Sequence, residues 1–335
     1  MKVFRNIEDL QAAVSISKQH IVTIGNFDGC HLGHQSLIKK TLELAQETKS
    51  NSLCLTFHPH PKYFFHPEQT PAQLFTREQK IQAFTELGLD KMLIQSFDQP
   101  FRETTATEFY QRFLRKDLRA QGIVIGHNFH FGKDRQGSPS FLQEMAEKDS
   151  VHLHIMSPHI YENSPISSTR IRQVLQETGQ VDQAWSMLGR PYCLLAKIGV
   201  GQQIGRQIGF PTINLKAIEQ AIPCKGVYAA LVWLEGLSSA NPQLMQPELR
   251  RLLPAVVNVG YRPTLQDDDQ IVVEAHLLND HTKLHEDLSQ QKIAVYFLSR
   301  IRDERRFAGA EELKEQIQLD ILTAKQQIES LVEKK

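Results

Sequence analysis

Ile21-Val22-Thr23-Ile24-Gly25-Asn26-Phe27-Asp28-Gly29-Cys30-His31-Leu32-Gly33-His34 is the stretch that decides the architecture of the first half of the chain. A β-branched run stops at a glycine, a short turn follows, and Leu37, Ile38, Leu42 and Ala45 then recur at helical spacing, so the segment reads as strand, turn and helix. The alternation repeats downstream. Candidate strands at Ser52 to Phe57, Met92 to Ser96, Ile123 to Gly126 and Val151 to Met156 are separated by helical patterns at Ile81, Phe84 and Leu87 and at Phe109, Phe113 and Leu114. Parallel strands joined by helical crossovers follow from that order. Such an open, doubly wound sheet takes its ligand beyond the C-terminal ends of its strands.

The pattern changes after Leu188, where Gly189-Arg190-Pro191 supplies linker chemistry. Beyond it lie β-rich runs at Cys193 to Val200, Val227 to Leu234, Ala255 to Val259, Ile271 to Leu278 and Ile293 to Leu298. Leu237 to Arg250 reads as an extended surface loop, Leu313, Ile317, Ile321, Ala324, Ile328 and Leu331 mark a final helix, and Arg300 to Arg306, a basic stretch with interspersed acids, reads as a solvated entry to that helix rather than a nucleotide clamp. The expected fold class is therefore α/β: a doubly wound parallel sheet over residues 1–187, then a small antiparallel β-barrel with a C-terminal helix over 188–335.

Length and composition agree with this division. At about 150 residues per domain, 335 residues favour two folding units. Lys plus Arg and Asp plus Glu both number 38, so no long basic face is available for a phosphate backbone, and nucleic acid is not an expected partner. The four cysteines, Cys30, Cys54, Cys193 and Cys224, form no Cys-x-x-Cys pair, which speaks against a disulfide framework or zinc knuckle and for a reducing compartment. The N-terminal residues lack the apolar core of a signal peptide, and no stretch has the length needed to span a bilayer. A cytoplasmic location and no membrane partner are expected; the oligomeric state is left open.

The first stretch also carries chemistry. A strand-to-helix turn exposes backbone N–H groups at the positive end of a helix dipole, and imidazoles at His31 and His34 stand one helical turn apart. That arrangement suits nucleotidyl transfer, where charge on a transferred phosphoryl group must be stabilised. The pair alone reads equally as half of a metal site or as two capping side chains. Pro165-Ile166-Ser167-Ser168-Thr169-Arg170-Ile171-Arg172 opens a helical pattern; alone its hydroxyls are an N-cap, although its arginines suit phosphate oxygens. In the second half, Thr212 and Asn214 alternate along Gly209-Phe210-Pro211-Thr212-Ile213-Asn214, placing two small oxygen ligands on one face, suited to a partly hydrated Mg2+ bound to phosphate. Glu274 interrupts an apolar strand, and alternation alone favours a solvated side chain.

Taken together these motifs resemble a known family. Gly-x-Phe-Asp-Gly-x-His-x-Gly-His with Ile166-Ser167-Ser168-Thr169 is similar to the nucleotidyltransferase signature. Phe57-His58-Pro59-His60-Pro61 and Asn128-Phe129-His130-Phe131-Gly132 look like the flavin-side motifs of prokaryotic FAD synthetases. Gly209 to Asn214, Gly226-Val227-Tyr228, Asn258 to Thr264 and Val273 to Leu278 resemble, in order, the motifs of riboflavin kinases. The whole chain thus resembles bifunctional riboflavin kinase/FMN adenylyltransferases.

The resemblance implies catalytic roles for His31, His34, Arg172 and Glu274, the last as the base for riboflavin's poorly nucleophilic hydroxyl. It implies ATP contacts at Gly25, Phe27, Asp28, Gly33, Ser167, Ser168, Thr169, Gly205, Gly209, Thr212 and Asn214, flavin contacts at His60 and Asn128, and Mg2+ at Thr212 and Asn214. Substrates would be riboflavin, FMN and ATP. Cys30, His58 and Asn128 depart from the family's usual aliphatic, acidic and aspartate residues, and Asn279 to Ser289 lacks the aromatic and glycine of the usual Asp-Leu-Tyr-Gly element. Two other readings stand beside this one: a nucleotidyltransferase for another phosphorylated substrate, and a flavin-binding regulatory protein with lost activity.

Overall fold

The computed structural model describes residues 1–13, 19–65, 71–199, 209–235, 243–262, 270–278 and 288–333. The chain forms two compact units, one of Met1–Pro71 and Arg77–Ser167, the other of Ala72–Thr76 and Ser168–Lys335. The division at 187/188 read from linker chemistry lies later than this packing boundary. The residues between include the helix Val181–Leu188, which packs on barrel strands.

In the first unit, β1 (Lys2–Phe4), β2 (His20–Ile24), β3 (Asn51–His58), β4 (Lys91–Ser96), β5 (Ala120–Gly126) and β6 (His152–Met156) make one sheet in the order β1-β4-β3-β2-β5-β6. Every pairing in it is parallel. The strand β2 is buried at all five positions, as a central strand covered on both faces must be, and Ile21, Val22 and Ile24 give it its largely apolar, β-branched sequence. From β2 the chain builds outward through β3 to β4, then returns to place β5 on the other side of β2. The strand order therefore reverses between β2 and β5, which is where an open α/β sheet leaves its crevice. On one face Phe109, Tyr110, Phe113 and Leu114, from a π-helical segment Phe109–Asp117, fill the core with Val22, Ile24, Ile123 and Ile125. The short β1 and the helix α1 (Ile7–Ala13) were not expected; a three-residue strand with two exposed residues carries no periodic signal.

A second, two-residue pairing joins β7 (Ile160–Tyr161) to β8 (Ser164–Pro165). The other unit is a closed barrel of β9 (Tyr192–Gly199), β10 (Ile213–Lys216), β11 (Gly226–Leu234), β12 (Leu253–Arg262), β13 (Gln270–Leu277) and β14 (Lys292–Arg302), in the order β10-β13-β12-β11-β14-β9, entirely antiparallel. The helix Ala310–Glu333 packs on β11, β12 and β14. Segment 72–76 belongs to this unit. Leu74 and Phe75 are buried, Gln220 donates to the carbonyls of Leu74 and Cys193, and the Arg190 guanidinium lies 4.7 Å from the centre of the Phe75 ring.

Two expectations need correction. Arg300 to Arg306 read as a solvated approach to the final helix, but Arg300 and Arg302 lie in β14, and Arg302 makes a two-pronged contact at 2.7 and 2.9 Å with the buried carboxylate of Asp320. Charge pairing across the strand and helix allows the Asp320 carboxylate to be buried. The loop expected on the surface from Leu237 to Arg250 buries Leu244 and Met245. Its residues 236–242, like Gly205 and 279–287, lie outside the described residues. The four cysteines are free thiols.

Candidate functional site

Because the sheet is wholly parallel, the turns after β2, β3 and β5 leave by the same edge. The turn after β2 carries the histidine motif, and its shape comes from its backbone. Phe27, Gly29 and Cys30 take positive φ values of 51°, 76° and 42°. Left-handed conformations at a phenylalanine and a cysteine are costly and persist only where the surroundings impose them. Phe27 is wholly buried, its ring set edge-on against His34 at 5.2 Å and Phe84 at 5.4 Å, so what it can offer a nucleotide is backbone. The side chain of Gln35 donates to the Cys30 carbonyl at 2.9 Å and closes the turn.

His31 is the N-cap of α2 (Leu32–Glu47): its Nδ1 accepts from the backbone N–H of His34 at 3.3 Å, which leaves the ring proton on Nε2. The two imidazoles stack with centres 3.6 Å apart and planes 18° apart. A Cβ at Gly33 would stand 3.3 Å from Cε1 and Nδ1 of His31, so glycine is what lets the His31 ring fold over the first turn. Nδ1 of His34 is enclosed without a hydrogen-bond partner among the described residues, leaving Nε2 as the nitrogen open to a ligand. Burial first, then the neighbouring His31 and Lys80, push the His34 pKa well below the usual histidine value, so this imidazole is neutral at physiological pH. Asp28 and His31 are buried as well.

The expected flavin residues lie in the turns beside this one. His60 follows β3, its Nδ1 accepting from the backbone N–H of Lys62 at 3.1 Å. Asn128 follows β5 and is exposed, its carbonyl 3.0 Å from His130 Nδ1. Ser167 ends the first unit; Ser168, Thr169 and the buried Arg172 pack with the second, at the start of the helix Ser168–Gln173.

The barrel organises its candidates by register. Asn214 on β10 pairs directly with Glu274 on β13, and Glu274 pairs directly with Asn258 on β12. Directly opposed residues share a face, so the carboxylate stands between two amides. Ile213, Leu215, Val273 and Ala275 on the alternate face are buried in the barrel. Glu274 is half-buried on the outward side, where alternation placed it, but in polar company. Two residues along the same face, His276 donates through Nδ1 to the Pro211 carbonyl at 2.8 Å, and its ring meets Phe210 at 5.7 Å. That contact anchors the chain just before Thr212. Gly209, with φ of 91°, begins the segment in a conformation that favours glycine.

Three participants were missed in the sequence. Asn258 lay inside a quoted motif without a role, and His276 inside another. Lys80 carried no signal: its Nζ donates to the Asn26 carbonyl at 2.6 Å from 54 residues away.

Comparison with known proteins covers both halves. The FAD synthetase family matches residues 13–170 and the riboflavin kinase family residues 188–328. The bifunctional riboflavin kinase/FMN adenylyltransferase of Pseudomonas fluorescens is 34% identical over 91% of this chain and 92% of its own length. That of Escherichia coli K12 is 34% identical over 97% of each chain. A crystal structure from Streptococcus pneumoniae, described as a macrolide-efflux protein, aligns with a TM-score of 0.81 at 26% identity over 96% of this chain and 98% of that one. Among the described residues no helix is long and apolar enough to cross a membrane. With the family's two halves present in order and relatives alike over nearly the full length, the chain belongs to the bifunctional riboflavin kinase/FMN adenylyltransferases.

Proposed function

We propose that this chain performs two successive ATP-dependent steps, with residues 188–335 phosphorylating riboflavin to FMN and residues 1–187 adenylylating FMN to FAD. The observation that carries the division is the row Asn214, Glu274, Asn258: a half-buried carboxylate flanked by neutral amides, as a base for an alcohol requires. Glu274 takes the proton of riboflavin's terminal hydroxyl as that oxygen attacks the γ-phosphorus of ATP, and ADP leaves with the electrons of the broken P–O bond. Thr212 and Asn214 present oxygen donors on the same face, which fits Mg2+ held largely by phosphate and water. When bound, the ion neutralises phosphate charge. Gly205 and Gly209, which precede Thr212 and Asn214 in the sequence, serve as further nucleotide contacts.

In the other unit the nucleophile is the phosphate of FMN, already ionised, so no proton needs removing. An FMN oxygen attacks the α-phosphorus of ATP and pyrophosphate departs. His31 and the neutral His34 donate through Nε2 to the transferred group, while N–H groups of the turn from Gly25 to Gly33, with Asp28 buried within it, shape the phosphate site. Ser167, Ser168, Thr169 and Arg172 hold the triphosphate, and His60 and Asn128 meet the flavin. Free thiols and a demand for ATP support a cytoplasmic location.

The test is direct. Purified protein incubated with riboflavin, ATP and Mg2+ yields FMN and then FAD by chromatography. Riboflavin bound but unchanged would instead identify a flavin-binding module.

A further inference from the structure

Beneath the histidine turn lies a lysine that the proposed chemistry does not use. Lys80, on α4 (Arg77–Glu86; α3, Pro61–Phe65, precedes it), donates to the Asn26 carbonyl at 2.6 Å and stands 3.4 Å from Thr56 Oγ1 near the end of β3. The Thr56 hydroxyl donates to the same carbonyl at 3.3 Å. One ammonium thus ties the chain leaving β2 to the neighbouring strand. It does so one residue before the left-handed run of Phe27, Gly29 and Cys30 begins. A backbone of that shape needs an external hold, and Lys80 and Thr56 supply it from outside the turn.

The choice of lysine is informative. Among the described residues Lys80 makes no ion pair, and its hydrogen-bond partners, a carbonyl and a hydroxyl, are neutral. Burying an ammonium against such partners is unfavourable, and burial accordingly lowers the Lys80 pKa, with Asp28, Cys54 and Cys30 opposing the shift. A neutral donor would satisfy the same oxygens. What only a cation adds is positive charge beside the histidines.

We propose that Lys80 is a positioning residue for adenylyl transfer, fixing the Asn26–Cys30 turn so that the His31 and His34 rings are aligned before the nucleotide arrives. This rests on the reading of the histidine turn as the adenylyl-transfer centre. The charged or titratable groups that act on His34 are His31 from the turn and Lys80 from α4; Lys80 in turn is faced by Asp28 and Cys30 from the turn and by Cys54 and His58 from β3. Of these Lys80 is the lysine that disfavours protonation of His34.

Full-length Lys80→Met and Lys80→Gln test the inference against wild type, with FAD formation from supplied FMN and FMN formation from riboflavin measured on the same samples. Lys80→Met removes the tie and the charge. Its kcat for FAD formation falls roughly tenfold or more with a smaller change in KM for ATP, because misplacement is felt in the transition state. Riboflavin phosphorylation stays at the wild-type rate. Lys80→Gln keeps an N–H donor for Asn26 and loses less kcat. In both variants the acid limb of FAD formation moves to higher pH, by roughly half a unit or more, because His34 accepts a proton more readily without the ammonium. A role in folding alone would not move that limb. Wild-type rates and an unmoved limb in both variants overturn the inference while leaving the functional reading intact, and so does a parallel fall of both activities in both variants. A wild-type protein that makes FMN but no FAD overturns the functional reading itself, and the inference with it.

Discussion

The histidine turn and the barrel row solve opposite problems with opposite means. His31 and His34 are close in sequence and depend on the conformation of a few bonds around them: a buried Phe27, left-handed Phe27 and Cys30, a glycine under the His31 ring. Asn214, Glu274 and Asn258 come from three strands and meet through register, with no strained backbone at any of the three. The first arrangement concentrates N–H donors and imidazoles where a phosphoryl group can sit. The second isolates one carboxylate between amides. A phosphate nucleophile needs charge neutralised and an alcohol needs a proton removed, and each fold element supplies what its architecture makes cheaply.

The sharpest break of this comparison is Glu274→Gln. It should lower FMN formation roughly a thousandfold, as loss of a general base does, while adenylylation of supplied FMN continues. His31→Ala should reverse the pattern, lowering FAD formation roughly a hundredfold and leaving riboflavin phosphorylation unchanged. Chromatography of both products from each variant checks the pair; loss of both activities in a folded variant would end the division of labour.

Acid should separate the two units next. The buried histidines among the described residues, His20 and His31, both belong to the first. His20 accepts from the Lys91 ammonium at Nε2, 3.0 Å away, so its Nδ1 carries the proton and donates to the Leu118 carbonyl at 2.7 Å. Burial, chiefly, lowers its pKa from 6.5 to about 4. The folded form therefore resists a proton that the unfolded chain accepts. Stability is complete above pH 6.5 and is lost as pH falls from there toward 4, by about 3 kcal/mol. FAD formation should fail before FMN formation on acidification, with melting curves of His20→Gln less dependent on pH than those of wild type.

The smallest effect sharpens the barrel side. Asn258→Asp sets a second carboxylate directly across from Glu274, which raises the proton affinity of the pair. The acid limb of FMN formation should move upward by about one pH unit, and FAD formation from supplied FMN should keep its profile. An unmoved limb would remove Glu274 from the role of base.

Reading the sequence worked where structure is local. The strand, turn and helix at Ile21 to Ala45 and the final helix were legible because period and turn residues lie within one stretch of chain. Glu274 was legible only through resemblance, since alternation alone assigned it to solvent; its outward position was right, and what alternation omitted was the pair of amides beside it. Arg302 was misread because its partner, Asp320, lies on another element.

The sequence by itself determined the order of the longer elements, the parallel and antiparallel halves, and the motif that puts two imidazoles one turn apart, because these follow from periodicity and from the steric preferences of neighbouring residues. Only the tertiary structure decided that Lys80 and Thr56 grip the Asn26 carbonyl, that Asn258 flanks Glu274, that His276 anchors Pro211, and that Ala72–Thr76 packs with the barrel unit. Each is a contact between residues far apart along the chain. No window of sequence contains both partners, and burial, which lowers the pKa of His20, His34 and Lys80, exists only once the chain has closed around them.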